Sequence, residues 1–198
     1  MIIENILNDP EKILVLTDHA AATNGIHRNS SNYLNFEERL PNYKAFHILK
    51  EEDRILSFAG IYKDPLWPEG ILRVVDRMFT FPEFRVKNMD GFSNNKPGVK
   101  NSGGLCSGQL LPFQTKLVLE WGLKPFFSIQ DLERRKGVER WIKNRIDPNL
   151  GYKLLPNLYY TCGGNNKDLK VCWQNIISIE DIDLPLMTME EYNEKRFR

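Results

Sequence analysis

A short stretch rich in glycine and serine, Ser102–Gly108, is the part of this chain whose residue types point most directly to chemistry. A strand-like run, Ile71–Phe81, lies upstream of it, and an apolar helical pattern begins directly after it at Gln109. A glycine-rich turn between a strand and a helix exposes backbone N–H groups, and the helix N-terminus adds the positive end of a dipole. This order of elements predicts a binding site for a ligand that carries phosphate.

Cys106 lies at the same predicted helix start, where a thiol pKa is lowered and the thiolate becomes a nucleophile. No partner base is evident beside it, so a structural role is the alternative. The other cysteines, Cys162 and Cys172, flank a turn, and the three histidines lack the spacing of metal ligands. An odd and sparse set of cysteines is typical of a reducing compartment, so we expect a cytoplasmic protein. The spacing of the histidines leads us to expect no metal site.

Composition limits the partners that this chain can be expected to bind. The 198 residues are 41% hydrophobic, which is enough to bury a core, and the formal net charge is +1. A nearly neutral chain offers no general case for binding nucleic acid or an acidic membrane surface. No apolar run is long enough to span a bilayer, so we expect no transmembrane segment.

The periodicity of apolar residues predicts a mixed, mostly antiparallel central sheet flanked by helices, in one α/β domain over residues 1–198. The predicted strands are Ile13–Leu16, Tyr43–Leu49, Ile55–Tyr62, Ile71–Phe81, Pro125–Ile129, Leu155–Cys162 and Leu169–Ile179. The predicted helices are Gln109–Trp121 and Asp131–Ile146. In the first helix, the residues Leu110, Phe113, Leu117 and Trp121 share the face that we expect to be buried. Asn88–Gly104 is an inserted loop, and connections of this length are usually functional or disordered.

This order of elements resembles the GNAT-type N-acetyltransferase superfamily over most of the chain, from about Ile13 to Ile179. Pro82–Arg85 reads Pro-Glu-Phe-Arg and is similar to the Pro-Glu-Tyr-Arg that ends the fourth strand in these enzymes. The family continues into Gly-x-Gly and a helix that starts with Leu-Leu, and here Cys106–Leu111 occupies that place after the insertion. Gly151–Tyr152 is similar to the Gly-Phe that follows the fourth helix. The resemblance implies an acyl-CoA N-acyltransferase fold.

The resemblance also implies a cofactor, acetyl-coenzyme A (acetyl-CoA), bound as co-substrate in a cleft between the fourth and fifth strands. The strand backbone would pair with the pantetheine arm, and the N–H groups at the helix start would hold the pyrophosphate. Arg85 would lie near the ribose phosphate, with a solvated basic loop as the alternative. The implied cofactor-binding residues are Met78, Phe79, Thr80, Arg85, Cys106, Ser107, Gly108 and Gln109.

Acyl transfer to an amine needs a base for the amine proton and a donor that polarises the thioester carbonyl. The resemblance assigns the second role to a strand amide such as that of Phe79. Asp76 and Glu83 are the candidate bases, and Tyr160 is a candidate acid. A surface position for Glu83 and core packing of Tyr160 with a hydrogen-bonded hydroxyl are the alternatives.

The surroundings of Asp76 are also open to two interpretations. Simple strand alternation points Asp76, Met78 and Thr80 to one face of the sheet, and Arg77 and Phe79 to the other. Asp76 then lines the cleft as a base, or it forms an ion pair with a neighbouring arginine, Arg73 or Arg77.

The leading hypothesis is an acyl-CoA-dependent N-acyltransferase in which a small-molecule or protein amine attacks the thioester directly. Two departures from the family pattern favour a second hypothesis, a GNAT-like binding or assembly protein without catalysis. Cys106 stands in place of the first glycine, and Asp147 falls where the family has a tyrosine that is often the general acid. A third hypothesis is a GNAT-like synthase that uses an acyl carrier thioester. A homodimer is one possible assembly.

Overall fold

The computed structural model describes residues 1–23, 36–65, 67–84, 106–129, 135–165, 168–182 and 184. The strands are β1 (Ile2–Asn5), β2 (Tyr43–Glu51), β3 (Arg54–Tyr62), β4 (Ile71–Thr80), β5 (Lys124–Ile129), β6 (Lys153–Asn165) and β7 (Asp168–Ser178). The helices are α1 (Pro10–Thr23), α2 (Phe36–Arg39), α3 (Leu111–Glu120) and α4 (Arg135–Arg145). The strands form one sheet in the order β1-β2-β3-β4-β5-β7-β6. Among the described strands only β4 and β5 pair in parallel, which confirms a mixed, mostly antiparallel sheet with helices.

Helices cover both faces of this sheet. One buried cluster joins α1, through Ile13 and Leu16, to the sheet residue Phe58. A second cluster joins α3, through Val118, to Val74 of β4. Successive strand residues point to opposite faces, and the two clusters accordingly divide neighbouring positions of β4 between them. No helix in the described ranges is long and apolar enough to cross a membrane.

The N-terminal region differs from the sequence prediction. Ile13–Leu16, predicted as a buried strand, lies instead within α1, and β1 was not predicted at all. Asp9 caps this helix because its Oδ1 accepts a hydrogen bond from the Lys12 N–H at 3.0 Å, and Pro10 occupies the first turn. The buried residues of α1 follow helical spacing and are Ile13, Leu16, Thr17, Ala20 and Ala21. Four consecutive apolar residues fit either structure, and the cap decides for the helix.

The buried face of α3 agrees with the prediction only in part: Leu110, just before the helix, is fully buried and Leu117 is half-buried, as expected. Phe113 and Trp121, expected in the core, are 39% and 41% exposed. The residues that α3 buries are Leu111, Gln114, Thr115 and Val118. The helix is rotated from its most apolar orientation because the core supplies hydrogen-bond partners for Gln114 and Thr115.

β4 is irregular on each side of Asp76. Between Arg73 and Asp76 it advances three residues while β3 advances two, from Tyr62 to Gly60, and the same excess recurs between Asp76 and Phe79. Two β-bulges are therefore present. Val75 and Arg77 have positive φ values of 48° and 55°, which place both residues in the left-handed region.

The bulges overturn the alternation expected from the sequence. The Asp76 carboxylate bonds to Tyr43, and the Phe79 ring packs 5.6 Å from that of Phe58; Tyr43 and Phe58 both belong to the α1-side cluster. Asp76 and Phe79 thus share a face, whereas alternation places them on opposite faces. Each extra residue shifts the side-chain period by one, a change that the sequence alone did not signal.

The other predicted elements are confirmed with small changes in their ends. The three antiparallel strands in the middle of the chain correspond to β2, β3 and β4, and the terminal hairpin corresponds to β6 and β7. The helix predicted from Gln109 begins earlier, with a π-helical turn over Cys106–Leu110 that leads into α3. The inserted loop predicted at residues 88–104 lies outside the described residues.

Candidate functional site

The central feature of the site is the place where β4 and β5 stop pairing. Their parallel ladder joins Ile71–Arg73 to Lys124–Phe126 and extends no further among the described residues. Both strands nevertheless continue, β4 to Thr80 and β5 to Ile129, while β5 pairs with β7 over that part. A gap in the sheet therefore opens beside the C-terminal half of β4. We call this gap the cleft.

The π-helical turn at the N-terminal end of α3 contacts β4, the strand that borders the cleft. The chain leaves α3 near the start of β4, because the Lys124 N–H donates to the Gly70 carbonyl at 2.7 Å. Gln114, further back on the helix, contacts the Val75 N–H at 2.7 Å, so α3 runs antiparallel to β4. Gly108 precedes Gln114 by six residues, about 9 Å of helix or about three residues of strand. The π-helical turn is therefore about level with Met78, beyond the end of the β4–β5 ladder.

The sequence-predicted cofactor residues fall into two groups around the cleft. On β4, Met78 is 46% exposed, Phe79 is buried and Thr80 is half-buried. The Phe79 carbonyl accepts a hydrogen bond from Ser57 Oγ of β3 at 2.8 Å, which fixes the backbone on the side away from the cleft.

The second group lies in the π-helical turn. Gly108 is half-buried and Gln109 is exposed, and the backbone of Cys106 and Ser107 belongs to the same turn. Arg85 lies outside the described residues. The N–H groups of the first turn of a helix have no partner within the helix, so this turn is suited to anionic oxygens.

Asp76 lies in a buried ionic cluster on the face of β4 that α1 and α2 cover. Its carboxylate accepts hydrogen bonds from the Tyr43 hydroxyl and from Arg73 Nη1, the latter at 3.1 Å. Arg39 Nη2 of α2 approaches the same carboxylate at 3.6 Å. The ion pair with Arg73 is one of the two interpretations that the sequence left open.

The electrostatics of this cluster keep Asp76 ionised. Burial by itself raises the pKa of Asp76, but the positive charges of Arg39, Arg73 and Arg77 and the hydrogen bond from Tyr43 outweigh it and lower the pKa to about 2. A carboxylate with so low a pKa binds a proton weakly at neutral pH. Its basicity is therefore poorly matched to general-base catalysis, which favours a pKa near the working pH.

Close packing around the cluster depends on two aromatic rings and a glycine. The Arg39 guanidinium lies 4.1 Å above the Tyr62 ring centroid, and the Arg73 guanidinium lies 5.2 Å above that of Trp67. Gly60 of β3 faces Asp76 in the ladder, and a Cβ at that position would collide with the Tyr43 ring. Gly60 therefore allows Tyr43 to cross β3 and reach Asp76.

The other candidate catalytic residues are not joined to this cluster by any contact that the described residues show. Glu83 is exposed in a 3-10 turn, Pro82–Phe84, just past the end of β4. The backbone of Tyr160 lies in β6, and its side chain falls outside the described part of the structure. Asp147, near which the resemblance places a tyrosine, accepts a hydrogen bond from the Asn149 N–H at 3.0 Å and caps the turn Pro148–Leu150.

A neutral polar cluster on the α3 side of β4 escaped the sequence analysis. Gln114 is fully buried and contacts three strands: β2 at His47, β3 at Ala59 and β4 at Val75. Burial lowers the pKa of His47 from 6.5 to about 4, so its ring is neutral near pH 7. A glutamine on the buried face of a helix would have indicated this cluster. The apolar spacing of α3 predicted a different buried face, which does not include Gln114.

A second cavity lies away from the cleft. It has a volume of about 520 Å³ and lies at the opposite end of β4, where its lining includes Lys63, Glu69 and Trp121. Within the described ranges no group of three or more His, Cys, Asp or Glu side chains is placed to hold a metal ion.

Known structures share this architecture. A protein from Desulfovibrio desulfuricans, named as an acetyltransferase of the GNAT family, aligns with a TM-score of 0.55 at 13% identity, over 90% of this chain and 98% of that chain. An N-acetyltransferase from Staphylococcus aureus Mu50 aligns with a TM-score of 0.52 at 13% identity, over 90% and 98%. The fold is that of the GNAT acetyltransferases. No protein-family model and no curated protein matches the chain.

A third GNAT-fold structure is named together with a cofactor. It is named as an acetyltransferase from Salmonella typhimurium with its cofactor acetyl-CoA. It aligns with a TM-score of 0.51 at 11% identity, over 94% of this chain and 98% of that chain. At such identities the likeness extends to the fold alone.

Proposed function

We propose that this protein is an acyl-CoA-dependent N-acyltransferase that transfers an acetyl group to a small-molecule or protein amine. The observation that carries the proposal is that the α3 N-terminal turn contacts β4 and lies level with the part of that strand that has stopped pairing with β5. An anionic head bound at the turn and an extended arm laid along the strand edge would enter one continuous site. Acetyl-CoA has both parts, a pyrophosphate and a pantetheine chain with amide groups.

In the proposed complex, the N–H groups of Ser107, Gly108 and Gln109 receive the pyrophosphate oxygens. Each charge gains about 0.3–1 kcal/mol from the helix dipole, and Gly108 lets the phosphate approach the backbone closely. The backbone of Met78–Thr80 pairs with the pantetheine amides as a further strand would. This arrangement directs the thioester into the cleft, and the exposed Met78 side chain contributes to its lining.

The proposed reaction is direct acyl transfer. The amine nitrogen attacks the thioester carbonyl carbon, the C–N bond forms and the C–S bond breaks. A backbone N–H of β4 that faces the cleft polarises the carbonyl oxygen, and not that of Phe79, whose backbone faces β3. Glu83, exposed to solvent, takes the proton that the amine loses, and Tyr160 donates a proton to the departing sulfur. Asp76 has no part in proton transfer in this scheme because Arg39 and Arg73 hold it ionised. It fixes the shape of β4 instead.

Ligand-dependent thermal stability tests the proposal. Acetyl-CoA at about 100 times its dissociation constant stabilises a protein by about 2.7 kcal/mol. We expect a clear rise in Tm with acetyl-CoA and with adenosine 3′,5′-bisphosphate, and loss of both in Gly108→Asp because a carboxylate at the turn repels phosphate. Leu119→Asp, the same change of charge at an exposed position of α3, is the matched control and keeps both shifts. No shift for the unaltered protein at millimolar ligand overturns the proposal.

A non-catalytic GNAT-like binding protein is the second candidate. Two observations favour it: Asp147 caps a turn in place of the family's acid, and Asp76 is locked in ion pairs. Release of free coenzyme A thiol from acetyl-CoA, measured over a panel of amines, separates the candidates. Thiol release that depends on an amine supports the transferase, whereas tight binding of acetyl-CoA without release for any amine supports the binding protein.

A further inference from the structure

The buried side chain of Gln114 connects α3 to three strands at the level of the first β4 bulge. Its Oε1 accepts from the Val75 N–H at 2.7 Å, and its Nε2 donates to the Ala59 carbonyl at 2.9 Å. Nε2 also lies 3.0 Å from Nδ1 of His47. Since Nε2 has two hydrogens and no lone pair to offer, His47 Nδ1 acts as the acceptor and its Nε2 carries the ring proton. Every polar atom of the amide is therefore engaged.

These contacts repair what the bulge disrupts. The extra residue between Arg73 and Asp76 removes the Val75 N–H from regular pairing with β3. A buried N–H without a partner is costly, and Val75 is a β-branched residue at φ 48°, a conformation that persists only where the surroundings fix it. The Gln114 amide provides an acceptor for Val75 and a donor for the facing strand, as a neighbouring peptide group would.

The same side chain joins the helix that follows the π-helical turn to the strand whose edge borders the cleft. The π-helical turn is continuous with the helix that carries Gln114, and the strand edge Met78–Thr80 continues from the bulge that Gln114 holds. If the distance between α3 and β4 changes, the distance between the phosphate-binding turn and the strand edge Met78–Thr80 changes with it. Within the described part of the chain, the bond from the Val75 N–H to Gln114 is the one hydrogen bond that joins α3 to β4.

We propose that Gln114 is a positioning residue that sets the spacing between the phosphate-binding end of α3 and the pantetheine-binding edge of β4. The inference rests on the proposed function, because it names what holds the two parts of the same cofactor site in register. A ligand that uses only the helix end does not depend on this spacing. A ligand that spans both parts does.

Two ligands of different reach test the inference. Adenosine 3′,5′-bisphosphate probes the nucleotide end, and coenzyme A probes the nucleotide end and the strand edge together. In Gln114→Met, which keeps the length of the side chain but cannot hydrogen-bond, we expect coenzyme A to bind about tenfold more weakly, the equivalent of one or two lost hydrogen bonds. The affinity for adenosine 3′,5′-bisphosphate changes less than about twofold by the same reasoning.

A matched control separates positioning from general loss of stability. Thr115 is the next residue of α3, is equally buried, and bonds to the Leu111 carbonyl and the Tyr152 hydroxyl but not to β4. Thr115→Val lowers Tm and leaves the ratio of the two dissociation constants unchanged. If Gln114→Met does not fold, Gln114→Asn, which keeps the amide but is one methylene shorter, replaces it with the same expectation.

Hydrogen exchange supplies a readout that needs no ligand. The Val75 amide is expected to exchange faster in Gln114→Met than in Thr115→Val. Unchanged exchange at Val75, or an unchanged ratio of affinities in a protein that binds both ligands, overturns the role of Gln114 and leaves the proposed function intact. If the unaltered protein binds neither ligand, the proposed function fails and the positioning role fails with it.

Discussion

Two buried polar clusters flank β4, one on each face of the sheet. Both provide partners for polar groups at the bulged part of the strand, one with charges and the other with neutral hydrogen bonds. On the α1–α2 side, Asp76 is held by the Tyr43 hydroxyl and by the charges of Arg39 and Arg73. On the α3 side, Gln114 is held by neutral hydrogen bonds alone, to His47 and to two backbone groups. Both clusters meet the strand where it bulges.

The difference lies in what each cluster requires of its members. Buried ions depend on mutual charge, so removal of one leaves the others in a medium that solvates them poorly. A neutral network depends on direction, so each donor needs its acceptor in place. The stability of the charged cluster is therefore insensitive to pH near neutrality but sensitive to the loss of one of its charges. The neutral cluster is stable only while His47 is unprotonated.

Removal of the Asp76 charge is expected to have the largest effect on stability. Asp76→Asn leaves Arg39 and Arg73 buried without a counter-ion, and breaking a buried pair in this way costs about 3–5 kcal/mol. Denaturation with urea measures the loss. Glu51→Gln, which breaks the exposed pair with Arg54, serves as control and costs less than about 1 kcal/mol. Similar losses of unfolding free energy for the two variants would show that the buried cluster stabilises the fold no more than an exposed ion pair does.

Acid titration separates the two clusters by pH. His47 has a pKa of 6.5 when unfolded and about 4 when buried, so the unfolded chain binds more protons in between, and stability falls as the pH decreases from 6.5 towards 4. The contribution of His47 reaches about 3 kcal/mol at most. Asp76 contributes lower down, because its pKa is reduced from 3.8 to about 2 and its stabilisation is lost as pH falls through that range.

A variant of His47 tests the higher of these two pH ranges. In His47→Asn, the side-chain oxygen takes the place of Nδ1 and accepts from Gln114 without titrating. Its free energy of unfolding, compared with the unaltered protein at each pH, should show no His47-dependent loss between pH 6.5 and 4. An equal slope in the two proteins over that range contradicts the assignment.

Gly60→Ala disturbs the charged cluster through packing alone. The added methyl group meets the Tyr43 ring, which must move away from Asp76, and we expect a cost of about 2 kcal/mol. In the double variant Gly60→Ala with Tyr43→Leu, the cost should be less than the sum of the single changes because the clash is gone. Strict additivity in a double-mutant cycle would mean that Gly60 and Tyr43 do not interact as the structure shows.

The smallest expected effect concerns the shape of a cation. Arg39→Lys keeps the positive charge beside Asp76 but loses the planar contact over Tyr62, and we expect about 1 kcal/mol of destabilisation. Thermal unfolding monitored by aromatic absorbance measures it. A loss as large as that of Asp76→Asn would indicate that stacking, and not charge, dominates the cluster.

Particular residues show how far the sequence could lead. Alternation and turn residues gave β2, β3 and the terminal hairpin, because each of those strands pairs with a close neighbour in the chain. The same rule failed at Asp76, since the extra residues in β4 carry no glycine or other marker of a bulge. It failed again at Phe113 and Trp121, because apolar spacing did not reveal that Gln114 and Thr115 have partners in the core.

The sequence by itself determined the class of fold and the location of the phosphate-binding candidate, because strand, turn and helix signals are local and their order survives large changes in side chains. Only the tertiary structure decided what the polar residues do. Asp76 became part of an ionic cluster and Gln114 a link between helix and strand because their partners, Arg39 and Tyr43 for one and His47 for the other, are distant in the chain. Contacts of that kind depend on which residues the sheet and its bulges bring together, and no local pattern encodes them.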